Sequence, residues 1–531
     1  MNVNNPRLTF EVTSIDWRAF ESQGEYTFWN RLAAGDAALA DFPLLGPAAL
    51  GKPGRDLPVT GSRFLDREAV AGEIARQNPA LPAPPAGARY IVAGQQPGLL
   101  TGPLYTILKA VSAIGAARRL ADATGETILP LFWIAGEDHD LDEVNRLTVN
   151  GLRFVHAPPV ERTRGRKPQV ADIPLREARE PLLAFLRSAL PATEFTGWVL
   201  EAAAGLDFAN FVTAFRQMMD RLFADFGLRQ IDPIPLRPLT APVLAELVER
   251  WDGLEHAFTS GSDKLRALGI RPPLERLGLY RVDETRRVPI EVDAAGFRLD
   301  SVLLRPAELA ARIRSDPSRF SAGAALRPLC QDGALPVLAT VCGPTELAYL
   351  RQIDPLYAAA GLRPSLRLPR ISATFLEPGI ARTAEKAGLA REQLFADFAD
   401  PGFGAAADGD PLGQRITEQT RALLESIERA YPVDPPRWLR TGREGIEAGV
   451  ARILSGLHRE RLEQAGLTRA RLEKIAGALR PDGRPQERVV NVAQFLNLHG
   501  PEFITRALAT LHPFSMHHQL VKIVLMNGDA S

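Results

Sequence analysis

I-V-A-G-Q-Q-P-G-L-L-T-G-P-L-Y, residues 91–105, decides how the chain is read. It carries a short strand (Tyr90 to Ala93), a glycine-rich turn and the start of a helix near Pro103. Thr101 suits the N-cap, where a hydroxyl satisfies an orphan first-turn N–H. Pro103 suits the first helical position, where its missing donor costs nothing. Leu104, Ile107, Leu108, Val111 and Ile114 then recur at steps of 3 and 4, one face of a helix that Gly125 ends. A glycine turn feeding a helix N-terminus aims backbone donors and the helix dipole outward, ready for an anion. Gln95 and Gln96 add amides at the strand end. The same pattern also builds βα turns that bind nothing, so the neighbouring blocks have to decide.

Outward from that stretch, Ile128 to Ala135 is a continuous apolar run, as in a strand buried on both faces of a parallel sheet. Strand, helix and strand within about 45 residues make a right-handed βαβ unit. The second strand runs straight into G-E-D-H-D-L-D-E, residues 136–143, in which six of eight side chains titrate. Loops at strand ends carry function because a rigid scaffold holds them. His139, oriented by a carboxylate, reads as a general acid or base, with Asp138 and Asp140 as its catalytic companions. A metal reading of the same three residues competes with it, although consecutive side chains rarely converge on one ion. Asp142 and Glu143 read as an acidic helix start that complements the dipole. Later, Leu335 to Gly343 is another buried strand followed by a helix through Tyr349, Ile353 and Leu356, and Ser365 to Ala373 is a further extended segment.

Open parallel sheets bind ligands outside the carboxyl ends of their strands. Four such ends meet at one edge here. The first offers Gly94, Gln95, Gln96, Gly98, Thr101, Gly102 and Tyr105, and the second adds Glu137 beside the catalytic Asp138, His139 and Asp140. Gly343, Pro344, Thr345, Glu346 and Tyr349 follow the third, and Arg370 and Ser372 the fourth. Arg370 is suited to a planar carboxylate or phosphate, against the plainer reading of an arginine capping a neighbouring helix. Cys342 reads as inert core.

At 531 residues the chain exceeds one compact core. The α/β core is interrupted by insertions and followed by a helical arm. The division is 1–150 first part of the core, 151–206 insertion, 207–238 core helix and strand, 239–326 second insertion with a β-hairpin, 327–378 last part of the core, 379–482 arm and 483–531 a return to the core. Within the arm, Ile416, Thr420, Leu423, Ile427 and Ala430, then Ile446, Val450, Ile453 and Leu457, step by 3 and 4 as a coiled-coil seam would. Pro432 to Pro436 separates the two runs, so they should pack antiparallel as an arm, or the arm could simply pack on the core. Lys+Arg and Asp+Glu are both 63, so no overall field attracts nucleic acid. Two cysteines exclude a disulfide framework, and there is no 18-residue apolar run or signal-peptide core. These features point to the cytoplasm and away from a membrane.

The blocks G-Q-Q-P-G-L-L-T-G-P-L-Y-T (94–106), P-L-F-W-I-A-G-E-D-H-D-L-D-E-V-N (130–145), R-P-L-C-Q-D-G-A-L-P (327–336), G-P-T-E-L-A-Y (343–349) and L-N-L-H-G-P-E-F-I (496–504) closely resemble the bacillithiol biosynthesis cysteine-adding enzymes. That resemblance implies a Rossmann-like core with connecting insertions and a coiled-coil domain that mediates dimerisation. It implies a cysteine ligase joining L-cysteine to glucosaminyl-malate through an amide, the last step of bacillithiol synthesis. The family is compared with synthetase-type ligases that adenylate cysteine, so ATP follows by analogy, with no metal expected. The chain departs from that type. Gln95-Gln96-Pro97-Gly98 stands where an H-x-G-H motif would be, no K-M-S-K-S-like loop lies near Arg370, and no zinc cluster is evident. Two other readings remain open at this point: a metal-dependent amide hydrolase using Asp138, His139 and Asp140, and a non-catalytic dimeric scaffold.

Overall fold

The computed structural model describes residues 8–16, 27–46, 60, 63–158, 167–284, 286–293, 295–386, 389, 391–395, 411–430, 436–464 and 469–525. Residues 17–26, 159–166 and 431–435, which include most of the Pro432–Pro436 break, lie outside them. Eight strands and two helices position everything below. They are β1 (Leu8–Ile15), β2 (Arg89–Gln95), β3 (Ile128–Ile134), β4 (Arg229–Ile231), β5 (Val337–Cys342), β6 (Leu366–Pro369), β7 (Ala373–Leu376) and β8 (His518–Leu525), with α1 (Tyr105–Thr124) and α2 (Pro344–Ala360).

The central sheet has the order β6-β5-β2-β3-β4, parallel throughout. Its strands are apolar on both faces because both are covered. Along β3 the side chains alternate between two cores: Phe132 and Ile134 pack on the α1 side, Leu131 and Trp133 on the opposite side. Along β2, Ile91 and Ala93 join the first core and Tyr90 and Val92 the second. Chain order reverses between β2 and β5, so their carboxyl ends diverge around a crevice.

The extended segment expected at 365–373 divides. β6 completes the central sheet, whereas β7 leaves it for a second sheet of order β1-β8-β7. There β8 pairs antiparallel with β1, Ile15 opposite His518, and parallel with β7, Ala373 opposite Gln519. The turn between β6 and β7 is tied by a buried cluster. Glu487 accepts from Arg370 Nη2 at 2.5 Å, Ser372 Oγ at 2.9 Å and the Ala373 amide at 2.8 Å. Ser372 Oγ also lies 2.9 Å from His518 Nδ1. Of the adjacent His517 and His518, the first is exposed and the second fully buried.

The glycine-rich stretch differs from expectation. α1 begins at Tyr105, and Thr101 is not its cap. Thr101 lies in a 3-10 turn at φ 76°, beside Leu100 at φ 44°, and its buried hydroxyl has no partner. The turn is held from the far end of the chain: Asn491 Nδ2 donates to Leu100 O at 2.8 Å and to Gly102 O at 2.7 Å. The Leu104 amide donates to Val490 O. Gly98 and Gly102 pass so closely that a Cβ on Gly98 would sit 2.7 Å from Gly102 Cα, which explains the glycines by packing.

The two insertions meet in one antiparallel sheet of Phe320–Ala322, Leu279–Asp283, Arg286–Pro289 and Lys167–Pro168. Among its described residues the first insertion contains the helices Arg179–Ala189 and Thr196–Ala204. The arm comprises Pro411–Ala430 and Arg437–Gln464, which contact one another, followed by Arg469–Leu479. No helix among the described residues is long and apolar enough to cross a membrane.

Candidate active site

A cavity of about 420 Å³ opens where the ends of β2, β3 and β5 meet, roofed by Tyr280, Arg287 and Ala322 of the insertion sheet. It lies at the reversal of strand order, the expected position for a ligand in such a sheet.

Lys109 joins the two sides of the crevice. It sits one turn into α1, 3% exposed, in an otherwise apolar run. Its ammonium donates to Gly94 O at 2.7 Å and Gln95 Oε1 at 3.0 Å, and pairs with Glu346 Oε2 at 2.7 Å. The same Glu346 oxygen accepts the Gly343 amide at 2.7 Å, closing the N-terminus of α2. Burial opposes the charged carboxylate, but the Lys109 charge and hydrogen bond, with the Gly343 amide, outweigh it and hold Glu346 below its ordinary pKa.

The two glutamines carry this order to the β3 end. Gln95 Nε2 donates to Glu143 Oε1 at 2.9 Å, and Tyr105 OH donates to the same oxygen at 3.2 Å. Burial raises the Glu143 pKa, and Asp140 and Asp138 add to it against the Tyr105 hydrogen bond. Glu143 is therefore a wall of the cavity rather than only an acidic helix start. Gln96 Nε2 donates to Asp138 Oδ2 at 2.7 Å, and Asp138 Oδ1 accepts the His139 amide at 2.7 Å. The His139 ring Nδ1 lies 3.6 Å from Asp138 Oδ1, too far for a hydrogen bond, and has no other partner. Burial lowers the His139 pKa; Asp138 pulls the other way, while Arg287 and Lys167 reinforce burial. A neutral imidazole beside a carboxylate can accept a proton near neutral pH.

Thirteen of the residues expected at the strand ends border this cavity: Gly94, Gln95, Gln96, Tyr105, Glu137, Asp138, His139, Gly343, Pro344, Thr345, Glu346, Tyr349 and Arg370. Five do not. Gly98, Thr101 and Gly102 are packed under the C-terminal segment, and Ser372 is spent on Glu487 and His518. Asp140 is exposed and borders a neighbouring cavity of about 560 Å³, which shares Tyr105, Glu143 and Arg488 with the first. Glu137 and Arg370 are also bonded within the protein itself. Glu137 Oε1 accepts from Arg237 Nε at 2.8 Å. Arg370, 2% exposed, gives Nη2 to Glu487 and Nη1 to Ile371 O at 2.8 Å. Its expected role as a ligand fork is taken by structure.

Lys109, Trp133, Tyr280, Arg287, Arg327 and Arg488 border the cavity without a site role read from sequence. A lone lysine in an apolar helix was the available signal for Lys109. Tyr280 and Arg287, stacked at 4.0 Å, come from a hairpin whose position over the crevice no local pattern encodes. Both cysteines are buried, with burial pushing Cys330 up to about 12 and Cys342 further, so neither is a thiolate at neutral pH. Among the described residues, no group of three or more His, Cys, Asp and Glu side chains could hold a metal ion. The 98–104 loop does not fit nucleotide phosphates: its Gly98, Gly102 and Leu104 amides donate to protein carbonyls, and Gly98, Thr101 and Gly102 lie away from the cavity.

Residues 84–371 match the family described as bacillithiol biosynthesis BshC, N-terminal Rossmann-like domain, and residues 444–523 match its C-terminal coiled-coil domain. A relative from Geobacillus thermodenitrificans, named "Putative cysteine ligase BshC", is 31% identical over 461 residues, covering 82% of this chain and 84% of its own. A relative of the same name from Bacillus cereus is 27% identical over 454 residues, with the same coverage of each chain.

The Lys109–Glu346 pair predicts a specific coupling. Lys109→Met alone leaves a half-buried carboxylate uncompensated and should cost about 1–3 kcal/mol, less than breaking a fully buried pair. Adding Glu346→Gln should restore part of that loss in denaturant unfolding. Additive single and double variants would contradict the pairing.

Proposed function

Because the chain belongs to the bacillithiol biosynthesis BshC family, we propose that this ligase joins L-cysteine to glucosaminyl-malate through an amide in the crevice between β2 and β5. The observation that carries the proposal is His139, which borders a cavity at the reversal of strand order with its buried Nδ1 3.6 Å from Asp138 Oδ1 and without a hydrogen bond. The attacking sugar amine must lose a proton as the C–N bond forms. His139 takes that proton, and Asp138 stabilises the resulting imidazolium by its charge. Gln96 holds Asp138, and the lysine, glutamate and glutamine set around Lys109 keeps the floor rigid. His139→Ala should lower the rate of amide formation about 100- to 10,000-fold. The base works only while neutral, and its pKa is lowered, so the acid limb of the wild-type rate profile should fall below pH 6.5 and be missing from the residual His139→Ala rate. A near-normal rate in that variant would remove His139 from the chemistry.

The carboxyl that reacts has to be activated, because a carboxylate and an ammonium ion do not condense at neutral pH. ATP enters the proposal by analogy alone, with its phosphates held away from the 98–104 loop. Labelled pyrophosphate should exchange into ATP in the presence of cysteine if adenylation occurs. Amide formation without nucleotide and without exchange would assign activation to a preformed donor instead.

The homodimer belongs to the same proposal. Leu423, 48% exposed, and Ile453, 55% exposed, lie on the seam of the arm and are left open by the contact between its two helices. A second copy would cover them. Leu423→Asp with Ile453→Asp should convert a dimer to a monomer in light scattering; a monomeric wild type, or a variant that stays dimeric, would refute the arm as the interface.

A further inference from the structure

The cations bordering the cavity are not equally engaged. Lys109 has Glu346 and two hydrogen-bond acceptors, and Arg370 has Glu487 and a carbonyl. Arg287 donates to Ala322 O at 2.9 Å and lies over the Tyr280 ring. Arg327 is different. It sits deep in the protein, at the start of the Arg327–Ala334 helix, yet remains half-buried because it borders the cavity. Its two hydrogen bonds are at the outer limit, 3.4 Å to Tyr349 OH and 3.5 Å to Gln331 Oε1. No carboxylate among the described residues forms an ion pair with it. A guanidinium has five N–H donors and is expensive to bury without an anion.

Tyr349 completes the arrangement. Its oxygen accepts from Arg327, which leaves the phenol proton to donate. Burial raises its pKa, so that proton stays on at neutral pH. A charged fork and a neutral O–H, carried on two different helices, face one space. Glu346 is paired with Lys109, and Arg327, 6.0 Å from the Trp133 ring, has no ion-pair partner among the described residues, so its fork suits one carboxylate.

We propose that Arg327 and Tyr349 form a carboxylate-binding subsite that orients one substrate in the cavity. The assignment rests on the ligase reading for its two candidate ligands, the carboxylate of L-cysteine and a malate carboxylate of glucosaminyl-malate. It is tested by binding, without turnover. Calorimetric titration of each compound into wild type, Arg327→Gln, Arg327→Lys and Tyr349→Phe should show one compound weakened roughly 10- to 100-fold by Arg327→Gln. The same compound should be weakened less by Arg327→Lys, which keeps the charge but loses the fork, and several-fold by Tyr349→Phe. The compound affected identifies the substrate held.

Should Arg327→Gln fail to fold, the other two variants decide, and both must weaken the same compound. Affinities within twofold of wild type in every folded variant would overturn the subsite, as would a wild type that binds neither compound. Loss of ATP binding in place of carboxylate binding would overturn it too. Arg327-dependent binding in a protein that forms no amide would leave the subsite standing and sink the ligase reading. Amide formation with unchanged affinities in the variants would do the reverse.

Discussion

A buried ammonium at the crevice of a parallel sheet imposes order on everything near it. Lys109 cannot stay charged at 3% exposure without partners, because the desolvation cost of a buried ion is several kcal/mol. It takes Gly94 O and Gln95 from β2 and Glu346 from α2, and thereby ties together the strands on either side of the reversal in chain order. Gln95, oriented by Lys109, turns its amide to Glu143, and its neighbour Gln96 holds Asp138. From one ion pair outward, side chains from three strand ends acquire single orientations. His139 stands at the edge of this order with its ring nitrogen uncommitted.

A second constraint comes from the end of the chain. The 486–491 segment passes behind the crevice and supplies Glu487 to Arg370, Ser372 and the Ala373 amide, and Asn491 to the glycine-rich turn. β8 then enters between the first strand of the chain and β7. The walls of the cavity therefore depend on residues from across the whole sequence, while its roof comes from a sheet shared by the two insertions. The charged floor and the roof therefore come from separate units of the chain.

The central fold was legible because its signal is local. Ile128 to Ala135 is apolar throughout, and α1 repeats its apolar residues at helical spacing, so β2, α1 and β3 follow from period and length alone. The strand-end residues Gln95, Gln96, Asp138, His139 and Glu346 came with them, since a parallel sheet brings its carboxyl ends to one edge. What could not be read depends on distant partners. Thr101 looked like a cap because the sequence around it resembles a helix start; Asn491 and Val490 instead hold that turn as irregular structure. Arg370 looked like a ligand fork because Glu487, 117 residues away, was invisible as its partner. Arg327 went unassigned inside a recognised block because its exposure depends on the cavity and its weak bonding on the geometry of Tyr349 and Gln331.

The proposed ligase chemistry requires the substrates to meet in the crevice between β2 and β5. A crystal structure of the protein soaked with glucosaminyl-malate tests this most directly. It should show the compound in the cavity with its amine within hydrogen-bond reach of His139. Density confined to the neighbouring cavity beside Arg146 and Arg484, with the crevice empty, would contradict the account.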